Sequence, residues 1–395
     1  MFFAYLGAEL RHRGAQVTRL SFCAGDRLYW RTRSGQHVAF RGRPQTYQSF
    51  LSKLITQHEI TDIICLGDSR FWHTEAISLC KNMENSPKIH VVEHGYYRPG
   101  WLTLELGGLN ANSGFPRDPH EILQASNGIQ LAVTPEYKSS FLRYALLDIG
   151  WNLSNIVLSP IFYPHFRSHS LHHPLQEWRG WIAKALRGKT TTKNRTTTLA
   201  RIARHQGPVF LFPLQLETDS QIRIHGPAGG LRHTVVTTIR SFAKNANPDA
   251  MLVFKVHPLD NELTDWRKII TNAAQENSCT NRCVFLNGGD LDALLKRSAG
   301  CVTVNSTVGL TAIDFGVPTH VIGQALYRIS GLTHTAILDD FWTTPQPPNP
   351  ELASAFKRLL IHRTQISGAF EGSGVAVGVT NVADRVFGSS RSSSR

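Results

Sequence analysis

Cysteine pairing and nucleic-acid signatures are both missing from this sequence. Its 395 residues include six cysteines without a Cys-x-x-Cys pair: Cys23, Cys65, Cys80, Cys279, Cys283 and Cys301. Three of them lie in or beside apolar stretches and are expected in the core, and nothing near Cys279 and Cys283 completes a set of metal ligands. Zinc-finger, RRM and helix-turn-helix signatures are also missing, so nucleic acid is not an expected partner.

Long apolar runs are missing as well. No stretch reaches the roughly 20 residues that span a membrane, and the N-terminus lacks a signal-peptide pattern. We therefore expect a cytoplasmic protein. Its composition, 41% hydrophobic and 18% charged, is typical of a soluble globular protein, and 395 residues predict two domains.

Acidic residues are scarce relative to basic ones. The chain has 29 Asp and Glu against 42 Lys and Arg, a net charge of +13, which favours phosphorylated substrates or acidic lipid headgroups. Residues 179–204 hold eight Lys and Arg and no acidic residue. From charge alone this run is a solvated face, while Trp178 and Trp181 nearby fit either core packing or a membrane surface.

Short apolar stretches alternate with helical patterns, which predicts α/β architecture with parallel sheets covered by helices. A Rossmann-like half normally begins with a strand and a glycine-rich turn, and neither precedes the helix predicted at Phe2–Arg13. We also predict a long loop at Thr103–Arg117, a helix at Pro135–Leu147 and a disordered tail at Gly388–Arg395.

Two predicted strands of the second half end in polar residues. Lys255, His257 and Pro258 follow one strand, and Asn305-Ser306-Thr307-Val308-Gly309 leads from another into a short helix. Ligands bind at the carboxyl ends of strands, and helix N-termini suit phosphates. The pattern predicts a nucleotide site. The alternative is that the hydroxyls only cap the helix and His257 is a turn residue.

Two carboxylates are candidates for glycosyl chemistry. Glu93 ends a predicted strand, and Asp219 follows the first strand of the second half, with Gln215 and Gln221 beside it to bind hydroxyls or a carboxylate. Retaining glycosyl transfer uses one carboxylate as nucleophile and one as acid/base. From residue type alone, an ion-paired Glu and a helix-capping Asp are the commoner roles.

A third candidate cluster projects from one predicted strand-to-helix turn. It comprises Asp68, Arg70 and His73, which could bind an acceptor. Asp68 could equally be the N-cap of the following helix.

Several motifs resemble those of the KpsS/LipB-type capsular polysaccharide glycosyltransferases over nearly the whole chain. They are Gly67-Asp68-Ser69-Arg70 with His73, Glu93-x-Gly95-Tyr96-x-Arg98-Pro99-x-Trp101-x-Thr103-x-Glu105, Pro213-Leu214-Gln215 with Asp219-Ser220-Gln221, Lys255-x-His257-Pro258-Leu259-Asp260, and Asn305-Ser306-Thr307-x-Gly309-Leu310. Two departures stand out. The usual first strand and its glycine-rich turn are absent, and His94 stands where the family commonly has a second acidic residue.

The resemblance implies a GT-B-like fold, with two Rossmann-like domains facing a central cleft. We expect an acceptor-side domain at 1–190, a donor-binding domain at 191–345, a C-terminal helix packing back within 346–370, and a mostly disordered tail at 371–395.

The resemblance also implies an activity: retaining transfer of β-Kdo from CMP-Kdo to a phosphatidylglycerol-type lipid, without a cofactor or metal. Asp219 would be the nucleophile, Glu93 the acid/base, and His257 would neutralise the departing phosphate. The implied donor-binding residues are Lys255, Pro258, Asn305, Ser306, Thr307, Gly309, Gln215 and Gln221. The implied acceptor-side residues are Asp68, Arg70, His73, Arg98 and Glu105.

The expected location is peripheral, on the cytoplasmic face of the inner membrane, with anionic lipid and other capsule-assembly enzymes as partners. Two alternatives remain open: a transferase for another CMP-sugar, such as a sialyl group, and a non-catalytic capsule-assembly protein.

Overall fold

A computed structural model describes residues 1–30, 35–168, 170–218 and 220–391. The chain forms two compact units. Unit 1 comprises Met1–Gly114, Leu131–His169 and Leu360–Arg395, and unit 2 comprises Phe115–Gln130 and Ser170–Leu359. The predicted domains were contiguous ranges, whereas each unit here is assembled from separate segments of the chain.

The elements follow one another in a regular alternation. The first part contains α1 (Phe2–His12), β1 (Thr18–Ser21), α2 (Ala24–Tyr29), β2 (Gln36–Ala39), α3 (Tyr47–Gln57), β3 (Asp62–Leu66), α4 (Phe71–Lys81), β4 (Lys88–His94), β5 (Trp101–Leu106), α5 (Pro119–Ala125), α6 (Phe141–Phe162), α7 (Pro174–Leu186) and α8 (Gly188–Arg204). The second part contains β6 (Val209–Pro213), α9 (Ser220–His225), α10 (Gly230–Asn245), β7 (Met251–Val256), α11 (Trp266–Glu276), β8 (Cys283–Asn287), α12 (Leu291–Arg297), β9 (Gly300–Thr303), α13 (Val308–Asp314), β10 (Thr319–Val321), α14 (Leu338–Phe341), α15 (Pro350–Thr364), β11 (Gln365–Ser367) and α16 (Gly374–Arg391).

Unit 2 is built on one five-stranded parallel sheet with the order β10-β9-β6-β7-β8. All residues of β6 and β7 are buried, as their continuous apolar sequences predict for a sheet covered on both faces. From β6 the chain first builds outward through β7 and β8, then returns to the other side of β6 for β9. The strand order therefore reverses between β6 and β9, where ligands of open α/β sheets bind.

Unit 1 contains two separate sheets in the described residues: one of order β11-β5-β4-β3 and one pairing β1 with β2. The β1–β2 and β3–β4 pairs are parallel, whereas β5 is antiparallel to both β4 and β11. The prediction of one long loop at Thr103–Arg117 is therefore wrong in its first part. The first four residues of Trp101–Leu106 are all buried, so this strand shows no apolar/polar alternation, and six residues between glycine-rich flanks give a weak periodic signal.

Both faces of the larger sheet of unit 1 are covered. Leu6 of α1 and Val382 of α16 pack with Val92 of β4 in one apolar cluster. Leu51 of α3 packs with Val91 of β4 in another. Because neighbouring residues of a strand point to opposite faces, β4 contributes to both clusters.

The tail prediction is wrong. Gly374–Arg391 forms α16, and the segment expected to be disordered from residue 371 onward is helical over most of its described length. Val379, Val382, Ala383 and Val386 are buried at helical spacing. The glycines before this apolar stripe and the glycine and serines after it give the segment a composition typical of a disordered tail, which conceals the helical pattern.

The helix predicted at Pro135–Leu147 begins later and extends much further, as α6. Gly150 and Pro160 look like breakers in the sequence. In the structure, a Cβ on Gly150 would lie 2.8 Å from Tyr29 Oη, so a small residue is needed there. By length and hydropathy, α6 is also the one described helix that could span a membrane, which contradicts the expectation that no apolar stretch is long enough.

Candidate functional site

The loops after β6 and β9 are joined at the point where the strand order of unit 2 reverses. Gln215 Nε2 donates to Asn305 Oδ1 at 2.9 Å, and Asn305 N–H donates to Gln215 Oε1 at 3.3 Å. Both side chains are buried. Two residues that the sequence assigned to donor binding are thus brought together, and their paired amides hold the two loops in register.

Lys255 lies beside this pair at the end of β7. Its carbonyl accepts Leu214 N–H at 2.8 Å, so the loop after β6 is attached to β7. The side chain is 7% exposed, and burial lowers the pKa of Lys255, an effect that Asp290 opposes. Within the described residues no carboxylate forms an ion pair with it. A buried ammonium of this kind suits an anionic ligand.

His257 is held in one orientation by its own loop. Leu259 N–H donates to its Nδ1 at 3.1 Å. Nδ1 is therefore an acceptor, and in the neutral ring the hydrogen is on Nε2. The basic run at residues 179–204 contacts the same loop, because Lys184 Nζ donates to the carbonyls of Pro258 at 3.0 Å and Asp260 at 2.6 Å. His257 is thus a turn residue whose Nδ1 is used within its own loop.

The turn before α13 is occupied largely by its own hydrogen bonds. Ser306 Oγ accepts Val308 N–H at 3.2 Å, the Ser306 carbonyl accepts Gly309 N–H at 2.9 Å, and the Thr307 side chain makes no capping bond. The bond from Val308 N–H to Ser306 Oγ agrees with the alternative interpretation of the sequence, in which the hydroxyls of this turn only cap the helix. The seven-residue α13 therefore offers a phosphate fewer donors than the sequence predicts.

Gly309 has a packing role that the sequence did not reveal. A Cβ at this position would lie 2.5 Å from Tyr327 Oη, and that hydroxyl donates to the Ser306 carbonyl. Tyr327 is 1% exposed. The phenol of Tyr327 therefore packs against Gly309 and holds the turn through the Ser306 carbonyl. Tyr327 is 18 or more positions away from both residues, so no local motif could predict this contact.

Two predicted residues cannot be placed. Asp219 lies outside the described residues, and the side chain of Gln221 is likewise not described, although its backbone belongs to α9.

In unit 1, Glu93 ends β4 beside the turn after β3. Its Oε1 accepts His94 N–H at 3.0 Å, and a Cβ on Gly67 would lie 2.8 Å from its Oε2. Gly67, at φ +70°, therefore leaves room for the carboxylate. Desolvation, with Arg98 and Arg70 adding to it, lowers the pKa of His94 to about 4, so two predicted acceptor-side cations lie within electrostatic reach of this strand end.

Asp68 and His73 serve the local structure. Asp68 Oδ2 accepts Leu109 N–H at 2.9 Å and Asn112 Nδ2 at 3.1 Å, while α4 has Arg70 as its N-cap residue, so Asp68 is not the cap. His73 Nδ1 lies 2.9 Å from the Leu66 carbonyl, which ties α4 to the end of β3. Both side chains therefore brace the local structure, and their assignment to acceptor binding stays a prediction.

Glu105 belongs to a buried polar network that also orders the following loop. Its Oε1 accepts Tyr96 Oη at 2.8 Å, and its Oε2 accepts the Ser113 hydroxyl. Tyr96 Oη in turn accepts Asn110 N–H at 2.6 Å. Arg98 Nε donates to the Gly95 carbonyl at 3.1 Å and its side chain is exposed. The acceptor-side roles predicted for Arg70, Arg98 and Glu105 stay predictions.

The sequence contains one Asp-x-Asp motif, Asp290-Leu291-Asp292. Such a motif is a candidate site for a divalent cation, so it bears on the prediction that no metal is needed. Asp290 is the N-cap of α12, and its Oδ1 accepts Asp292 N–H at 3.0 Å. This pair therefore begins a helix.

A family model described as capsule polysaccharide biosynthesis protein matches residues 61–370 of this chain. The chain belongs to this family. The family resemblance drawn from the motifs is confirmed.

Members of this capsule family named in the comparison match nearly the whole chain. Capsule polysaccharide modification protein LipB of Neisseria meningitidis serogroup A / serotype 4A is 31% identical over 386 residues, covering 93% of this chain and 88% of LipB. Capsule polysaccharide export protein KpsS of Escherichia coli is 29% identical over 377 residues, covering 93% of this chain and 94% of KpsS. This chain is thus similar to LipB and to KpsS along most of the length of each.

One solved structure is also similar. KpsC of Thermosulfurimonas dismutans, titled a beta Kdo 2,7 transferase, is 14% identical, with a TM-score of 0.48 over 94% of this chain and 99% of KpsC.

Proposed function

We propose that the protein is a retaining glycosyltransferase that moves Kdo from CMP-Kdo to a phosphatidylglycerol-type lipid, starting the linker of a capsule chain. Membership of the capsule polysaccharide biosynthesis family supports a role in capsule assembly. Kdo carries a carboxylate and CMP a phosphate, and the chain carries a net charge of +13. A cationic protein favours such anionic substrates.

One observation carries the proposal: the paired amides of Gln215 and Asn305 stand at the strand-order reversal, with Lys255 at the neighbouring strand end. In an α/β sheet this is where a nucleotide binds. Lys255 supplies a buried positive charge and His257 a ring N–H, two groups that can stabilise the phosphate of CMP as it leaves.

The proposed reaction has two steps. The Asp219 carboxylate attacks the anomeric carbon of Kdo, and the bond to CMP breaks with its electron pair going to the phosphate oxygen. The acceptor hydroxyl then attacks the same carbon of the glycosyl-enzyme, Glu93 takes the hydroxyl proton, and Asp219 is released. Two displacements retain the configuration, and neither step in this scheme calls on a cofactor or a metal.

The test is incubation of the purified chain with CMP-Kdo and phosphatidylglycerol-type lipid, read by mass spectrometry for one added Kdo. Asp219→Asn, Glu93→Gln and His257→Asn should each lower the rate by at least about 100-fold, as expected for nucleophilic and acid/base groups. Glu276→Gln, on an exposed residue at the end of α11, is the matched control and should keep full activity.

Other outcomes would overturn specific parts of the proposal. A trapped glycosyl adduct on a residue other than Asp219 would remove the nucleophile assignment. Preference for CMP-sialic acid in a competition assay would identify a different donor. Full capsule assembly in cells carrying both carboxylate variants would favour a non-catalytic assembly protein.

We also propose that the protein lies on the cytoplasmic face of the inner membrane through α6. This helix is inverted relative to an ordinary surface helix: its buried residues are Ser154, Asn155 and Ser159, and two of them bond to the backbone of α2. Its exposed large apolar residues are Phe141, Leu142, Tyr144, Leu146, Ile149, Leu153, Val157, Ile161 and Phe162. An apolar face of this length on a cationic protein fits an anionic bilayer interface.

Flotation with phosphatidylglycerol vesicles tests the membrane surface. Leu142→Asp with Ile161→Asp should reduce vesicle binding by at least about tenfold, because both side chains, 69% and 73% exposed, would place a charge in the bilayer interface. Ile337→Asp, 66% exposed and outside α6, is the control. Equal binding by both variants would show that α6 is not the attachment surface.

A further inference from the structure

The two sheets of unit 1 have the features of one sheet that lacks a strand. In the described residues β3 pairs only with β4 and β1 only with β2, so each has an edge without a partner strand. Unpaired strand edges leave backbone N–H and C=O groups unsatisfied, and proteins cover or pair them.

The same two helical layers cover both sheets. Leu20 of β1 and Ile63 of β3 pack into the cluster that contains Leu51 of α3. Val17, next to β1, and Ile64 of β3 pack into the cluster that contains Leu6 of α1. Since β3 and the segment 17–20 around β1 each send side chains into both clusters, β1 and β3 belong to one layer between the helices.

A cavity of about 570 Å³ lies where these two strands approach each other. Its wall contains residues 16–20, which include most of β1, and residues 60–65, which include most of β3. Leu10 of α1, Leu54 of α3 and Phe387 of α16 complete apolar parts of the wall. The cavity opens to solvent and also has polar side chains in its wall, among them Arg19, His58 and Asp62. A segment that filled it would bury the apolar part of the wall and pair the two strand edges, and both effects would be stabilising.

The dimensions of the flanking strands define the missing segment. β1 has four residues and β3 has five, and a strand rises about 3.3 Å per residue, so a matching segment is about 13 to 17 Å long. Because the helical layers on both faces are apolar, its side chains must be apolar on both faces, as in other buried parallel strands.

The position of α1 indicates where this segment comes from. α1 leads directly into β1, and the amino group of Met1 is close enough to Arg19 and Asp26 for their charges to influence it. Asp26 lies in α2 just beyond the end of β1, so α1 begins near the edge of the sheet at which β1 ends. This is the geometry of a crossover helix between two parallel strands, of which only the second is present.

We propose that the cavity takes a parallel strand of four or five apolar residues, and that the polypeptide leading into α1 supplies it. The segment would pair with β1 on one edge and β3 on the other and would join α1 through a short turn. A single seven-stranded mixed sheet would then replace the two sheets of unit 1.

Mass spectrometry of the protein isolated from its own cells is the direct test. We expect peptides that extend beyond Met1 and contain four or five consecutive apolar residues within about ten positions of it. A native N-terminus at Met1 would overturn the proposal, and so would an extension that lacks an apolar segment.

A second measurement uses an engineered extension fused to the full chain: five Val and Ile residues followed by a glycine-containing turn. Hydrogen exchange at the amides of β1 and β3 should slow by at least about tenfold relative to the 395-residue chain. The matched control replaces alternate Val and Ile residues by Asp. Equal exchange in both fusions would overturn the proposal, and protection only by a separately added peptide or by dimerisation would identify a different occupant.

Discussion

Gly309→Ala separates packing from ligand binding at the turn before α13. The new Cβ would lie 2.5 Å from Tyr327 Oη and 2.7 Å from two ring carbons, and the phenol is buried and cannot withdraw. Overpacking costs about 1–3 kcal/mol, and displacing the phenol weakens a hydrogen bond worth about 1 kcal/mol. Alanine returns at most about 1 kcal/mol of helix propensity. We therefore expect a net loss of about 2 kcal/mol.

The assay is thermal unfolding without ligand. For a domain of this size a loss of 2 kcal/mol lowers Tm by about 4–8 °C. The control is Gly188→Ala in α8, where an added Cβ meets nothing within 4 Å and the expected change is within about 0.5 kcal/mol. In a Tyr327→Phe background the nearest clashing atom is gone, so Gly309→Ala should cost less. An unchanged or raised Tm for Gly309→Ala would refute the packing role of Tyr327.

Three further predictions concern the residues that hold the strand-end loops of the two units. Alanine at Gln215 and at Asn305 should show a coupling of about 0.5–3 kcal/mol in a double-mutant cycle of urea unfolding, and additive effects would contradict the paired amides. Lys255→Met should abolish a rise in stability as the pH increases toward 10.5, because the lowered pKa of Lys255 means that the unfolded chain binds more protons in that window; a rise that persists in the variant would assign it elsewhere. Asp68→Asn should cost about 1–3 kcal/mol and speed proteolysis between residues 107 and 114, since two of the donors that it accepts lie in that loop; unchanged cleavage would exclude this bracing role.

Periodicity was sufficient for the parts of the fold with strong local signals. The strands predicted at Val209–Phe212 and Met251–Lys255 are confirmed as β6 and β7, because a strand buried on both faces reads as a continuous apolar run. By contrast, β5 and α16 depend on partners more than 250 residues away in the chain, through the β5–β11 pair and the packing of α16 against α1. No local pattern contains that information.

The candidate site shows the same limit. The sequence correctly singled out Gln215 and Asn305 as neighbours of one site, but their hydrogen bond joins residues 90 positions apart and could not be predicted. The acceptor-side roles of Asp68 and His73 stay predictions, and the structure adds that both side chains bind the backbone of neighbouring segments. Which role prevails depends on the loop that folds over it.

The return of residues 360–391 to unit 1 has a consequence for protein synthesis. Strand β11 completes the larger sheet of unit 1, and helix α16 completes the apolar cluster to which α1 belongs, more than 350 residues earlier in the chain. All segments of unit 2 are translated before β11, so they can fold while the opening helix still lacks its partner. The part of the apolar face of α1 that packs on α16 therefore stays without its partner until residues 374–391 have been made, although β4 and β5 can cover the rest earlier.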